Sequence, residues 1–238
     1  MNQKMKKFNE FIRRCFELSY EFHEKLEIEI NEPFNAKTLQ LRKNLTLEEC
    51  QETLSAINNQ DNLELADGIA DLIYVLAGNL VSFSNFNFSP EDFSKNDSQS
   101  TPNTAKETTK NIIKKLLLNI NRQFEQLNFN DNTKDQIFGI SCDFLKGIFL
   151  ILDSINYPLL ASVEEVHRSN MTKLWPIEDK HCLALLSQSK EDSKKVAFRN
   201  SKDKKHKVCY RISDGKAVKP PNFSKPNLIY FADIINSW

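Results

Sequence analysis

Thr46-Leu-Glu-Glu-Cys-Gln-Glu52 and Leu63-Glu-Leu-Ala-Asp-Gly-Ile-Ala-Asp-Leu-Ile-Tyr-Val75, joined through the polar stretch Asn58-Asn-Gln-Asp-Asn62, decide the fold. Glu48, Glu49 and Glu52 lie within about one helical turn, because residues three and four apart share a face. Glu64, Asp67 and Asp71 fall at i, i+3 and i+7, which is again a single face. Asp67 and Asp71 sit among Leu65, Ile69, Leu72, Ile73 and Leu76, where an unpaired carboxylate is costly. Two antiparallel helices across a short turn bring both acid faces together, giving a site of about four to six carboxylates.

The same reading extends outward in both directions. Phe8, Phe11, Ile12, Cys15, Phe16, Leu18 and Phe22 recur at helical spacing and predict a first helix to about Leu26. Asn31-Glu-Pro-Phe-Asn35 breaks it. A second helix is expected to begin near Thr46, where Thr46-x-x-Glu49 has the form of a capping box. A third, well buried, runs from Leu63 to Phe83. Residues 84–107 are rich in Ser and Asn, with two prolines and no stripe, and read as a loop. Within 108–160 two more helices are expected, one striped by Ile112, Ile113, Leu116, Leu117, Ile120 and Phe124, the other from Asp135 to Ile155. Ser162–Leu174 reads as a further helix, stopped by Trp175-Pro176. The tail, 177–238, is expected to wrap the bundle with little regular structure beyond a short hairpin between Val196 and Val218. The expected fold is therefore all-α: a helical bundle over 1–176 with an inserted helix pair, and an extended, mostly irregular C-terminal tail.

Composition narrows the classes. Among 238 residues, 32 basic and 32 acidic side chains cancel, so no long-range field draws the chain to a nucleic acid polymer or an anionic membrane. Five glycines and eight prolines, five of the latter after Leu152, leave the first two-thirds free for long helices. Five cysteines form no C-x-x-C pair, and the odd count suits no disulfide framework, so a reducing, cytoplasmic setting is expected. The basic N-terminus lacks the apolar stretch of a secretory signal. The run Ile137–Leu152 carries Asp143 and Lys146 and is too short to span a bilayer.

Clustered acids need a divalent cation. Oxygen donors without matching His or Cys favour Mg²⁺, with Mn²⁺ as the other fit, over Zn²⁺. Such a cation leaves room for substrate phosphates, and metal-assisted attack of water on a phosphoryl group suits the arrangement.

The blocks Arg42-Lys-Asn-Leu-Thr-Leu-Glu-Glu-Cys-Gln-Glu52 and Ala66-Asp-Gly-Ile-Ala-Asp-Leu-Ile-Tyr-Val75 resemble the all-α NTP pyrophosphatases, the MazG-like group that includes phosphoribosyl-ATP pyrophosphohydrolase. Glu165-Val-His-Arg-Ser-Asn-Met-Thr-Lys173 and Asp214-Gly-Lys-Ala-Val-Lys-Pro220 resemble C-terminal signatures of its dUTP-preferring bacterial subgroup. The resemblance implies an enzyme that cleaves a nucleoside triphosphate to monophosphate and pyrophosphate. It implies catalytic Glu48 and Glu49, metal ligands Glu49, Glu52, Asp67 and Asp71, and substrate contacts from Arg42, Tyr74, Asn170, Lys173, Lys216 and Lys219. The family's second motif is E-x-x-D, and Gly68 stands where its Glu belongs. Asp67 or Glu64 takes that role. His167 and Arg168 read equally as a surface pair and as a site pair.

The departure is the inserted region 108–160, which reads as a degenerate second copy of the helix pair or as a simple insertion. The family resemblance implies a homodimer. Gly68 also keeps open a second reading, a nucleotide-binding regulatory protein with weak or no turnover.

Overall fold

The computed structural model describes residues 3–31, 35–83, 108–130, 132–189 and 191–238. The expected loop 84–107 lies outside the described residues. Helices α1 (Gln3–Leu26), α2 (Ala36–Asn59) and α3 (Asn62–Phe83) are followed by α4 (Thr109–Glu125), α5 (Thr133–Ser154) and α6 (Leu159–Asn170). The all-α bundle is as expected.

Helix α3 is the axis of the bundle and packs against α1, α2, α5, α6 and α8 (Ile229–Ile235). It is long and apolar enough to cross a membrane, but here other helices bury Leu65, Leu72, Ile73, Leu76 and Leu80 almost completely. Burial on all sides explains why it reads as a nearly continuous apolar run.

The second helix starts a full ten residues before the expected point. Asn35 caps it, its Oδ1 accepting from the backbone N–H groups of Lys37 at 2.9 Å and Thr38 at 3.4 Å. Thr46 is instead a fully buried mid-helix residue: its hydroxyl donates back to the Arg42 carbonyl at 3.0 Å and accepts from Asn79 Nδ2 at 3.2 Å. A capping-box pattern does not distinguish a helix start from a Thr that bonds one turn back. The α2–α3 turn is tight. Gln60 adopts a left-handed φ of 56°, Asp61 N–H returns to the Ala56 carbonyl, and Asp61 Oδ1 accepts from Leu63 and Glu64 N–H at 3.1 Å each.

Helices α4 and α5 are part of the bundle. Helix α4 packs on α2, α5 packs on α3, and the two pack on each other. Ser141 of α5 joins an interior polar network in which Asn79 Nδ2 donates to both Thr46 and Ser141, and Asn79 Oδ1 accepts from Arg42 Nε at 2.7 Å.

After a 3-10 turn at Met171–Lys173, the C-terminal region carries α7 (Asp179–Leu186) and the antiparallel strands β1 (Val196–Asn200) and β2 (Lys207–Arg211), Phe198 opposite Cys209. The hairpin stands where the sequence places it; α7 and α8 carry too few apolar repeats to be read there. Trp175, Cys182, Leu186, Val196, Cys209 and Val218 form a second small core, while α8 joins the main one through Phe231 and Ile235.

Helices α2 and α3 approach closely at Gly68, where an added Cβ would lie 2.5 Å from Thr53 Oγ1 and 3.1 Å from Thr53 Cα. That hydroxyl is committed to the Glu49 carbonyl at 2.6 Å. Gly68→Ala is therefore expected to separate the helices and cost roughly 1–3 kcal/mol of stability, read as a lowered denaturation midpoint.

Candidate active site

The antiparallel course of α2 and α3 puts Glu49 level with Asp71, and both line a cavity of about 260 Å³. Tyr74, Arg42, Asn170, Lys173 and Lys216 line it too. Glu48, Glu52, Asp67 and Lys219 do not, although Glu48, Glu52 and Asp67 raise or are raised by their acidic neighbours.

Burial and mutual repulsion dominate the electrostatics. Burial first, then the charges of Asp71, Glu52 and Glu48, push the Glu49 carboxyl up to about 8, against the pull of Lys216. Asp67 is pushed up to about 7 by burial and then by Asp71 and Glu64. Its Oδ1 is buried with no hydrogen-bond partner among the described residues. Burial raises Asp71, opposed by Lys173, Lys219 and Lys216. Lys173 is drawn down to about 8 by its own burial, which Asp71 opposes.

The cations come from the C-terminal half of the chain. Lys216 Nζ donates to both Glu48 oxygens, at 2.7 and 2.6 Å. Gly215, at φ +80°, turns the chain between Asp214 and Lys216, and Asp214 is fixed by Arg211 and by the Lys216 N–H. Lys173 Nζ lies 5.8 Å from the Phe22 ring centre and Lys219 Nζ 4.6 Å from that of Phe223.

Two expected substrate residues have structural work. Arg42 is buried, donating to Asn79 and to the Val75 carbonyl, and Gly78 makes room for its guanidinium: a Cβ there would lie 2.5 Å from it. Tyr74 hydroxyl meets His167 Nδ1 at 2.9 Å and the Leu18 carbonyl at 3.3 Å. His167 thus faces inward, its Nε2 3.5 Å from Glu21, whereas Arg168 is exposed and pairs with Glu165. Of the two residues left open for the family Glu, Asp67 is half-buried beside Asp71 and Glu64 is exposed.

Residues the sequence reading does not assign to the site also line the cavity: Ser19, Phe22 and His23 of α1, Ser82 of α3 and Arg199 of β1. The signal for the α1 set was present. Ser19 and His23, four residues apart, interrupt an otherwise apolar buried face.

Residues 19–96 match the family described as phosphoribosyl-ATP pyrophosphohydrolase. Over this segment the chain is similar to the MazG-like superfamily. The segment contains α2 and α3, which hold every acid of the cluster. The uncharacterized protein L479 of Acanthamoeba polyphaga mimivirus is 26% identical over 220 residues, covering 84% of each chain. No solved structure matches. The family is one of nucleotide pyrophosphohydrolases, hydrolases acting on acid anhydrides.

Members of this superfamily generally use divalent metals. Among the described residues no three His, Cys, Asp or Glu side chains converge on one point as a finished metal site. The donor set nonetheless fits a hard cation: all oxygen, mutually repelling, with one buried oxygen unpartnered.

Without metal the cluster opposes folding. Glu49 titrates near 4.5 in an unfolded chain and near 8 when folded, so the folded state binds more protons between these values and loses stability as pH rises through them. In chelator-containing buffer, Glu49→Gln is expected to raise the melting temperature at pH 8, by roughly 2–4 °C per kcal/mol relieved, and to have little effect near pH 4. A melting series across that range checks it.

Proposed function

We propose that the chain is a Mg²⁺-dependent nucleoside triphosphate pyrophosphohydrolase of the cytoplasm, releasing pyrophosphate and a nucleoside monophosphate. The observation that carries this reading is the carboxylate cluster of α2 and α3, raised in proton affinity by burial and then by its own crowding, and faced by lysines from two later segments. Glu49, Glu52, Asp67 and Asp71 would hold the cation, which supplies charge neutralisation at the phosphates and lowers the pKa of water.

The remaining chemistry falls to the chain's own groups. A water oxygen attacks the α-phosphorus, its bond to the bridging oxygen of the β-phosphate breaks, and pyrophosphate leaves with that oxygen. Glu48 or Glu49 takes the water's proton, and the raised proton affinity of Glu49 suits that task near neutral pH. Lys173, Lys216 and Lys219 offset charge on the phosphates. Lys216 must then leave Glu48, which its half-exposed position allows. The homodimer implied by the resemblance is a separate proposal, decided by light scattering.

The second reading, a nucleotide-binding regulator without turnover, is favoured by Gly68, where no Glu side chain fits. Pyrophosphate release with Mg²⁺ against a panel of ribo- and deoxyribonucleoside triphosphates separates the two. Turnover is expected, with Glu49→Gln and Asp71→Asn each lowering kcat at least about 100-fold, the lower end for a lost acid–base group. Binding of triphosphate with no pyrophosphate released would select the regulator.

A further inference from the structure

The cavity does not end at the acids. Thr38 to Glu49 on α2 and Asp71 to Ser82 on α3 each span eleven residues along it, roughly 16 Å at the helical rise. The phosphates and cation of the proposed reaction need only the Glu49–Asp71 end. The other end, walled by α1 and the start of α2, is long enough for a nucleoside and has a polar lining of its own.

Two of its side chains carry buried hydroxyls without a partner among the described residues, and a third is a buried histidine. Ser19 Oγ and Ser82 Oγ are buried, their residues 1% and 0% exposed, and neither has a partner among the described residues. His23, 2% exposed, is the third. Its Nδ1 lies 3.1 Å from the Glu29 carbonyl. A carbonyl only accepts, so Nδ1 carries the proton and donates, which leaves Nε2 as a bare acceptor. Burial and the neighbouring Arg42 charge drive His23 down to about 3, so the ring stays neutral. Arg42, lining the same cavity, makes no ion pair among the described residues. An unmet buried hydroxyl costs about 1–3 kcal/mol. Two of them in one cavity, with a neutral histidine and a guanidinium lacking a counter-charge, describe a lining shaped for a ligand.

Resting on the pyrophosphohydrolase reading, the geometry points to a nucleobase pocket that selects bases with a lactam edge, His23 Nε2 accepting the ring N–H and a Ser19 or Ser82 hydroxyl donating to the adjacent carbonyl oxygen. Uracil, thymine, guanine and hypoxanthine present that edge. Adenine and cytosine place a bare ring nitrogen there, whose lone pair faces that of Nε2, and an amino group where the carbonyl would be. A site built to hydrogen-bond one edge discriminates far more strongly than an apolar pocket does.

Matched pairs test this on the whole protein: UMP against CMP and IMP against AMP, each pair nearly identical in size and different at this edge. Ligand-induced melting shifts and calorimetric titrations with Mg²⁺ read binding of the monophosphates; pyrophosphate release is measured in parallel on the corresponding triphosphates. UMP and IMP are expected to bind at least about tenfold more tightly than their mates, the worth of about one hydrogen bond. Ser19→Ala/Ser82→Ala is expected to weaken UMP and IMP about tenfold while the free protein melts no lower, since no protein partner is lost. His23→Phe is expected to erase the difference within each pair. Equal or tighter binding of CMP and AMP overturns the assignment, as does a serine double variant that lowers the melting temperature without weakening UMP or IMP. Absence of any nucleotide-induced shift also overturns it. If pyrophosphate release persists in any of those cases, only the pocket assignment falls; if release is absent from every triphosphate, the pyrophosphohydrolase reading falls as well.

Discussion

The close contact between α2 and α3 is the constraint on which the rest depends. Two glycines on α3 set it. Gly68 lets the backbone of α2 approach at Thr53, and ten residues later Gly78 leaves room for the Arg42 guanidinium. Between these points the helices cannot slide, because Arg42 is tied to Val75 and Asn79, and Asn79 to Thr46 and Ser141. Glu49 and Asp71 are therefore held opposite each other although their charges repel. Position 68 carries no acid for the same reason: the contact that aligns the two helices leaves no volume for one.

Such a site stores unfavourable energy. Glu49, Glu52, Asp67 and Asp71 all hold protons more tightly than they would in water, chiefly through burial. The main core offsets this. Almost every large side chain of α3 is buried, and α4 and α5 add Ile113, Leu117, Ile120, Phe124, Leu145 and Leu152 to the same core. Helices α4 and α5 thus thicken the hydrophobic scaffold around a buried, crowded acidic face, a placement that offsets local destabilisation.

Much of this was legible in the sequence because it is periodic. The acid spacing on α2 and α3, the stripe of α4 and the apolar run of α5 each follow from the 3.6-residue repeat, and the bundle follows from them. What escaped has a different physical basis. The start of α2 turns on one Asn side chain bonding two backbone N–H groups, while Thr46 offers the same local pattern in mid-helix. The far end of the cavity is assembled from α1, α2 and α3, whose residues are far apart in the chain, so the spacing of Ser19 and His23 marks two polar residues on an apolar face without showing what they meet. His167 reads as surface or site with equal ease until Tyr74 is seen to meet it.

The C-terminal region supplies its lysines as a single unit, and Trp175 is why. Its backbone pairs with Lys207 at the start of β2 in both directions, at 2.8 and 2.9 Å, while its buried indole N–H donates to the Val218 carbonyl at 2.8 Å. Trp175 follows Lys173 by two residues, and Val218 lies between Lys216 and Lys219. The α6 end, the hairpin and the 214–220 segment are thereby cross-linked around one side chain. Ser169 and Arg168 extend the tie to Ser224, and Glu165 to the Asn227 N–H. An acid cluster that differs in charge with and without its cation needs opposing charges that remain in register with it. A small core closed by one tryptophan provides that register without adding any side chain to the helices that carry the acids.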